Sequence, residues 1–455
     1  MRDEGAEREN VLWMNYKGQG QVKRMSRGGP VRALRRVCAL MSLSFVFAFI
    51  LFAAIPVSVS AHNQAESTDS HQFTLQIYGN ANGDDTIDMR DVTYIKLVIF
   101  GKKPETEFCD ANYDGRVSML DVVQTKLIIV GKEGELTIVD ARGEDVTVPL
   151  PIDRIIVLNS DFADAIRAVG ARDKVVGVCE GLSKMYFPEI STLPTVGGWM
   201  GPDIEKILSL EPDIVCCYGT WPSPEELEDK LAGTGITVIR LDFYKAETLP
   251  EEIEKLGYIL GKKEEAEKYI SFYDKYVGTI KERVAELSEE EKPSVYIEIS
   301  DYTAVTEEAG GHQLCVIPGG TNVFAGLGGG GYVKIDPEEV IAANPDIILR
   351  QMYAGSGYDV DDPSEMIALR DSILNRAELA EVPAIKEGKV YVISNQFAFG
   401  PDCVAGLVTI AKWFHPDLFE DLNPQAIHQE YIDKFCGIDY DVTEHGVFAY
   451  PPPES

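Results

Sequence analysis

Two stretches of this 455-residue chain repeat one another. The segment DIEKILSLEPDIV at 203–215 aligns without a gap on DPEEVIAANPDII at 336–348. Each opens on an Asp suited to cap a helix, runs through one amphipathic helix, and meets Pro before a β-branched strand. A helix–Pro–strand junction met twice at this separation points to two α/β lobes built alike.

The surrounding pattern agrees. Short β-branched runs at 154–158, 174–178, 213–218 and 237–243 alternate with helical patterns at 162–169, 202–210 and 224–231. Successive βα units of this kind give a mostly parallel sheet. From 263 to 287 the period changes: Ala266, Ile270, Tyr273, Val277, Ile280, Val284 and Leu287 alternate at spacings of four and three. One helix of that length is a rod of about 37 Å. A second α/β series follows, with strands at 294–300, 346–350 and 389–394.

Ahead of the lobes lies a shorter repeat. NANGDDTIDMRDVTYIKLVIFGK (80–102) recurs thirty residues later as DANYDGRVSMLDVVQTKLIIVGK (110–132). Oxygen side chains fall at positions 1, 3, 5, 9 and 12 of a twelve-residue loop: Asn80, Asn82, Asp84, Asp88 and Asp91, then Asp110, Asn112, Asp114, Ser118 and Asp121. Position 7 (Thr86, Arg116) would add its backbone carbonyl, and Ile87 and Val117 at position 8 would turn inward and tie the loops together. A hard cation such as calcium takes six to eight oxygens, and a loop of this spacing wraps them around it. Asn80 carries no charge at position 1, and Asp85 stands where Gly is usual at position 6; Asp tolerates the left-handed backbone better than most residues. Loop one should therefore bind its ion more weakly than loop two.

The N-terminus sets the compartment. Arg32, Arg35 and Arg36 precede an almost unbroken apolar run at 37–57, and Val59-Ser60-Ala61 supplies small residues for cleavage after Ala61. The run is also long enough to span a bilayer if it is kept, so residues 1–61 read as a signal peptide or an N-terminal membrane anchor. A net charge of −32 repels phosphates and anionic lipid, which argues against nucleic acid as a partner. Beyond the apolar run, seven cysteines are scattered without a CxxC pair; most read as buried apolar residues, and a Cys315–Cys403 disulfide is one open pairing. Six histidines are too dispersed for a bare-metal site, with His312 alone near the expected cleft. No GxSxG, phosphate-loop Lys or HExxH occurs, and the GGGG at 328–331 follows no strand, so no enzyme chemistry is expected.

Residues 74–134 resemble the type I dockerin module, a small all-α calcium-binding unit of paired EF-hand-like loops that plugs into cohesin domains. The resemblance implies two calcium ions and a cohesin-bearing partner. It maps the residues that choose the cohesin onto Met89, Arg90, Met119 and Leu120. The opening TIVDARGEDVTVPLPIDRIIVL, then VGGWMGPDIEKILSLEPDIV, PGGTNVF (318–324) and GGGYVKIDPEEVIAANPDIIL resemble the substrate-binding proteins of iron-siderophore and cobalamin ABC importers. That resemblance implies two Rossmann-like lobes joined by one long helix, the class III arrangement, and a corrinoid or ferric siderophore held between them. It also implies that Glu205 and Glu338, one on each lobe, dock against the permease. Their place in a first helical turn, where the helix dipole favours an anion, fits that role.

Trp199 matches a family position that packs on ligand, and Tyr332 lies in the equivalent stretch of the other lobe. Tyr218, Trp221, Tyr302, Tyr353 and Phe397 follow strand ends and are further cleft candidates. Arg350 is the one obvious cation there, which suits a neutral or weakly charged chelate and puts corrinoids slightly ahead of siderophores. The expected layout is 1–61 signal or anchor, 62–73 linker, 74–134 dockerin, 136–260 N-lobe, 261–290 linking helix, 291–445 C-lobe and 446–455 tail. A cell-surface protein docked through cohesin without transport, and a bare metal-ion binder, are the competing readings.

Overall fold

The computed structural model describes residues 73–453. The apolar segment within 1–61 and nearly all of the 62–73 linker therefore lie outside the described residues. Among the described residues no helix is long and apolar enough to cross a membrane.

The two short repeats form equal helices, Met89–Ile99 and Met119–Ile129. Each starts at a reciprocal cap, Asp88 with Asp91 and Ser118 with Asp121, so the residues at loop positions 9 and 12 also close the helix N-terminus. Val92, Ile95, Cys109 and Val122 pack between them. An antiparallel hairpin, Glu135–Val139 with Asp145–Pro149, leads into the lobes.

The first lobe holds four parallel strands in the order Val175–Val178, Ile155–Val157, Ile214–Cys217, Thr237–Arg240. Alternation along each strand sends Ile155 and Val157 to one layer and Ile156 and Val215 to the other, where Val196 and Ile207 cover them. The second lobe is mixed. Ser294–Ser300, Ile347–Met352 and Val390–Ser394 run parallel at its centre. Thr303–Val305, Tyr332–Lys334 and Ala449–Tyr450 add antiparallel edges that the sequence pattern did not announce, each being only two or three residues long.

The linking helix is continuous but not uniform. It runs as an α-helix over Lys263–Tyr273, widens to a π-turn at Asp274–Gly278, and resumes over Thr279–Val284. The expected stripe of Ala266, Ile270, Tyr273, Val277 and Ile280 is buried, and so are Tyr269, Phe272 and Tyr276. The π-turn shifts the register so that both stripes face protein. The helix ends at Val284, short of the expected Leu287. The expected helix at 224–231 is reduced to its last turn, Glu228–Leu231.

One contiguous core joins Leu75, Ile77, Ile87 and Ile128 of the repeat module to Ile155 and Phe162, to Tyr269 and Val277, and to Val295, Leu349 and Val404. All seven cysteines among the described residues are free and buried. Cys315 and Cys403 are thus separate apolar fillers rather than a disulfide.

Candidate functional site

Aromatic side chains gather where the parallel strands end. Tyr218 follows the Ile214–Cys217 strand, and its hydroxyl donates to Asp161 Oδ2 at 2.7 Å, at the start of the Ser160–Ala168 helix. Burial pushes the Asp161 carboxyl up to about 6, against the lowering effect of the Tyr218 and Ser160 hydroxyls. Trp199 meets the Tyr218 ring edge-on at 5.9 Å, and Tyr244 does the same at 5.6 Å. Trp199 rides on a tight turn in which Gly197 takes φ +91°; a side chain there would press to 3.1 Å of the Asp203 amide. The turn and the helix that carries Glu205 are therefore locked together.

The second lobe presents Tyr332, at the start of the Tyr332–Lys334 strand, and Tyr353, which follows the Ile347–Met352 strand. The two residues stay 38% and 52% exposed, and burial raises the pKa of both hydroxyls. A side chain on Gly310 of the second lobe would lie 2.8 Å from the Tyr244 ring, so the two lobes approach here. Gln313 of the second lobe fastens the Tyr244 segment: its amide nitrogen donates to the Tyr244 carbonyl and its oxygen accepts from the Ala246 amide, both at 2.6 Å.

The remaining cleft candidates separate. Phe397 is buried against His428 and Phe448, because the short Asn395–Ala398 helix turns its ring inward; it is core, not cleft. Tyr302 belongs to a different set, stacking over the Arg376 guanidinium at 4.5 Å and donating its hydroxyl to Glu378. Trp221 is half-buried in the loop after Tyr218. Arg350 alternates onto the outer face with Ile348, 4.0 Å from Glu298; its Nε and Nη1 are buried without a hydrogen-bond partner, and burial lowers its pKa. Tyr244 was missed by sequence reasoning, although it too follows a strand end, the signal that singled out Tyr218.

Glu205 and Glu338 are both exposed in the first turns of Ile204–Ser209 and Pro337–Ala343. Neither carboxylate has an ion-pair partner among the described residues.

The repeat loops are built alike but not equally. Asp91 is buried, accepting from the amides of Asn82 at 3.0 Å and Asp88 at 2.8 Å; Asp121 accepts from Asn112 and Ser118 in the same way. Burial pushes Asp91 up to about 6 and Asp121 upward. Asp84 and Asp114 each accept from the amide two residues on, Thr86 and Arg116. Loop two turns through left-handed Tyr113 and Gly115, whereas loop one turns at Gly83, so Asp85 is spared the left-handed conformation expected of it. The Arg90 guanidinium bridges Asp84 (3.0 Å) and Asp88 (2.8 Å), placing a cation among loop-one oxygens; position 11 of loop two is Leu120. Ile87 does not close on Val117: it enters the large core, while Val117 packs with the repeat helices. Among the described residues no three His, Cys, Asp or Glu side chains converge as a metal centre. The loops instead leave two buried amide oxygens without a hydrogen-bond partner, Asn80 Oδ1 and Asn112 Oδ1, atoms of the type that ligate a hard cation.

Two α/β lobes on a linking helix, with aromatic side chains gathered at the strand ends, form the arrangement of a two-lobed solute-binding fold. The periplasmic binding protein family model matches residues 155–397, over half of the chain, and the chain belongs to that family. It is 26% identical over 289 residues to an uncharacterized ABC transporter substrate-binding lipoprotein, YvrC, of Bacillus subtilis, covering 62% of this chain and 86% of that protein. It is 26% identical over 209 residues to a vitamin B12-binding protein of Vibrio campbellii, covering 45% and 73%. The solved structure of a TroA-like periplasmic binding protein, FepB, from Veillonella parvula aligns with a TM-score of 0.58 at 23% identity, covering 69% of this chain and 98% of that one. This last likeness supports the fold.

Proposed function

We propose that the chain is the extracellular or envelope-bound receptor of an ABC importer for a metal chelate, either a corrinoid or a ferric siderophore. The observation that carries this is the aromatic cluster Trp199–Tyr218–Tyr244 at the strand ends of the first lobe, with Tyr332 and Tyr353 exposed at strand ends of the second. Flat rings suit a large conjugated or macrocyclic guest, which buries area against them and stacks.

Glu205 and Glu338 would meet basic residues of the permease, one per lobe, and so set the orientation of docking. The repeat module would hold two calcium ions through Asn80, Asn82, Asp84, Thr86, Asp88 and Asp91, and through Asp110, Asn112, Asp114, Arg116, Ser118 and Asp121. Bound calcium would supply the positive charge that lets these oxygens share one loop. Met89 and Met119 (each 54% exposed), Leu120 (59%) and Arg90 would then face a cohesin-bearing partner. Mass spectrometry of the solute that copurifies with the protein tests the reading. A metallated chelate supports it; a solute lacking a metal overturns it.

A further inference from the structure

The repeat module is not strung beside the receptor but built into it. Residues 75–78 add to the receptor's first hairpin: Ile77 bridges Ile138, the Tyr78 amide donates to the Thr137 carbonyl at 2.9 Å, and the Val139 amide donates to the Gln76 carbonyl at 3.0 Å. Leu75, Ile77, Ile87 and Ile128 share the receptor's core. Lys263, first residue of the linking helix, donates to the Ile128 carbonyl at 2.8 Å and lies 3.8 Å over the Tyr258 ring.

Tyr258 makes the decisive contact. It sits 2% exposed in the receptor helix Leu249–Leu260, and its hydroxyl oxygen accepts the Ile87 amide at 2.9 Å, with the Thr86 hydroxyl 3.5 Å away. Thr86 and Ile87 are positions 7 and 8 of loop one, and the Thr86 carbonyl is a candidate calcium oxygen. The peptide that must aim this carbonyl at the ion is the one whose N–H is held by the receptor. Val117, at position 8 of loop two, packs with the repeat helices instead. Loop two touches the receptor through the exposed Tyr113 hydroxyl on Asp145.

We propose that Tyr258 is a positioning residue for loop one, so that calcium at this loop and the fold of the receptor's first lobe are energetically coupled, while loop two is largely independent. This rests on the calcium reading above. Linkage makes the coupling reciprocal: whatever the receptor contributes to calcium affinity, calcium returns as receptor stability. An N–H left unpaired in a buried position weakens a site by about tenfold.

The test uses the full chain and calcium alone as the probe. Calorimetry is run in an Asp121→Asn background, which leaves loop one, and in an Asp91→Asn background, which leaves loop two. Tyr258→Phe should weaken the remaining site about tenfold in the first background and leave it unchanged in the second. Hydrogen exchange of the unmutated protein needs no variant: amides of the Leu249–Leu260 helix should lose protection when calcium is chelated. Calcium binding that ignores Tyr258→Phe, or helix protection that ignores calcium, overturns the coupling but spares the calcium sites. Absence of any calcium heat removes both.

Discussion

Tyr186 of the first lobe lies face to face on Tyr358 of the second, ring centroids 3.8 Å apart and 10° from parallel. Each ring is anchored behind. Tyr186 and Tyr431 both donate to Asp164 Oδ2, at 2.8 and 2.9 Å, while Arg167 pairs with Asp164 Oδ1 at 2.7 Å. Tyr358 donates to Asp402 Oδ2 at 2.6 Å and lies 2.8 Å from His428 Nε2. One hydroxyl proton cannot serve both partners, so the His428 Nε2–H donates to Tyr358. The buried lock holds the two lobes in a fixed relation, and with them the aromatic side chains at their strand ends.

Removing either ring should destabilise the whole molecule. Tyr358→Ala should cost about 3–5 kcal/mol, the range for deleting a buried aromatic side chain. Tyr358→Phe should cost about 1–3 kcal/mol through the stranded Asp402 and His428 groups. Urea unfolding monitored by fluorescence measures both; equal, near-zero effects would show the lock to be idle.

His428 gives the lock an acid sensitivity. Burial lowers its pKa to about 3, from 6.5 for the free residue. Because the folded value is the lower one, the unfolded chain takes up the proton first as pH falls below 6.5. Stability is therefore lost with acid, by about 1.4 kcal/mol per pH unit from this group, until the folded protein also protonates near pH 3. Asp402, raised by burial beside Asp164, works in the opposite sense. The His428 contribution is thus read as the difference in slope against His428→Gln, with imidazole NMR shifts as a direct check that the ring stays neutral at pH 5.

Glu205→Lys and Glu338→Lys together should abolish uptake in cells while leaving solute affinity unchanged, because both carboxylates are exposed in the first turns of their helices. Normal transport by the double variant would end the docking assignment.

Much of the scaffold was readable from local pattern. The duplicated junction at Asp203 and Asp336 and the strands at Ser294–Ser300 and Val390–Ser394 all rest on neighbours within a few residues. The misses have the opposite character. Tyr186 and Tyr358 are far apart in the chain, as are Ile87 and Tyr258, and no periodicity links them. Phe397 and Tyr218 both follow strands, yet only a three-dimensional packing choice sends one ring into the core and the other beside Trp199. Arg90 is exposed, as a surface residue should be, but no local pattern shows that its guanidinium also folds back on the acids of its own loop.

Isothermal calorimetry of the full chain, with a corrinoid and with a ferric siderophore, tests the central claim most directly when repeated on Trp199→Ala and Tyr332→Ala. One of the two chelates should bind one-to-one, and each substitution should weaken it by about 1–3 kcal/mol, the loss expected for a ring that both buries area and stacks. Binding of neither chelate, or affinity indifferent to both rings, would contradict a cleft built for a large metallated guest.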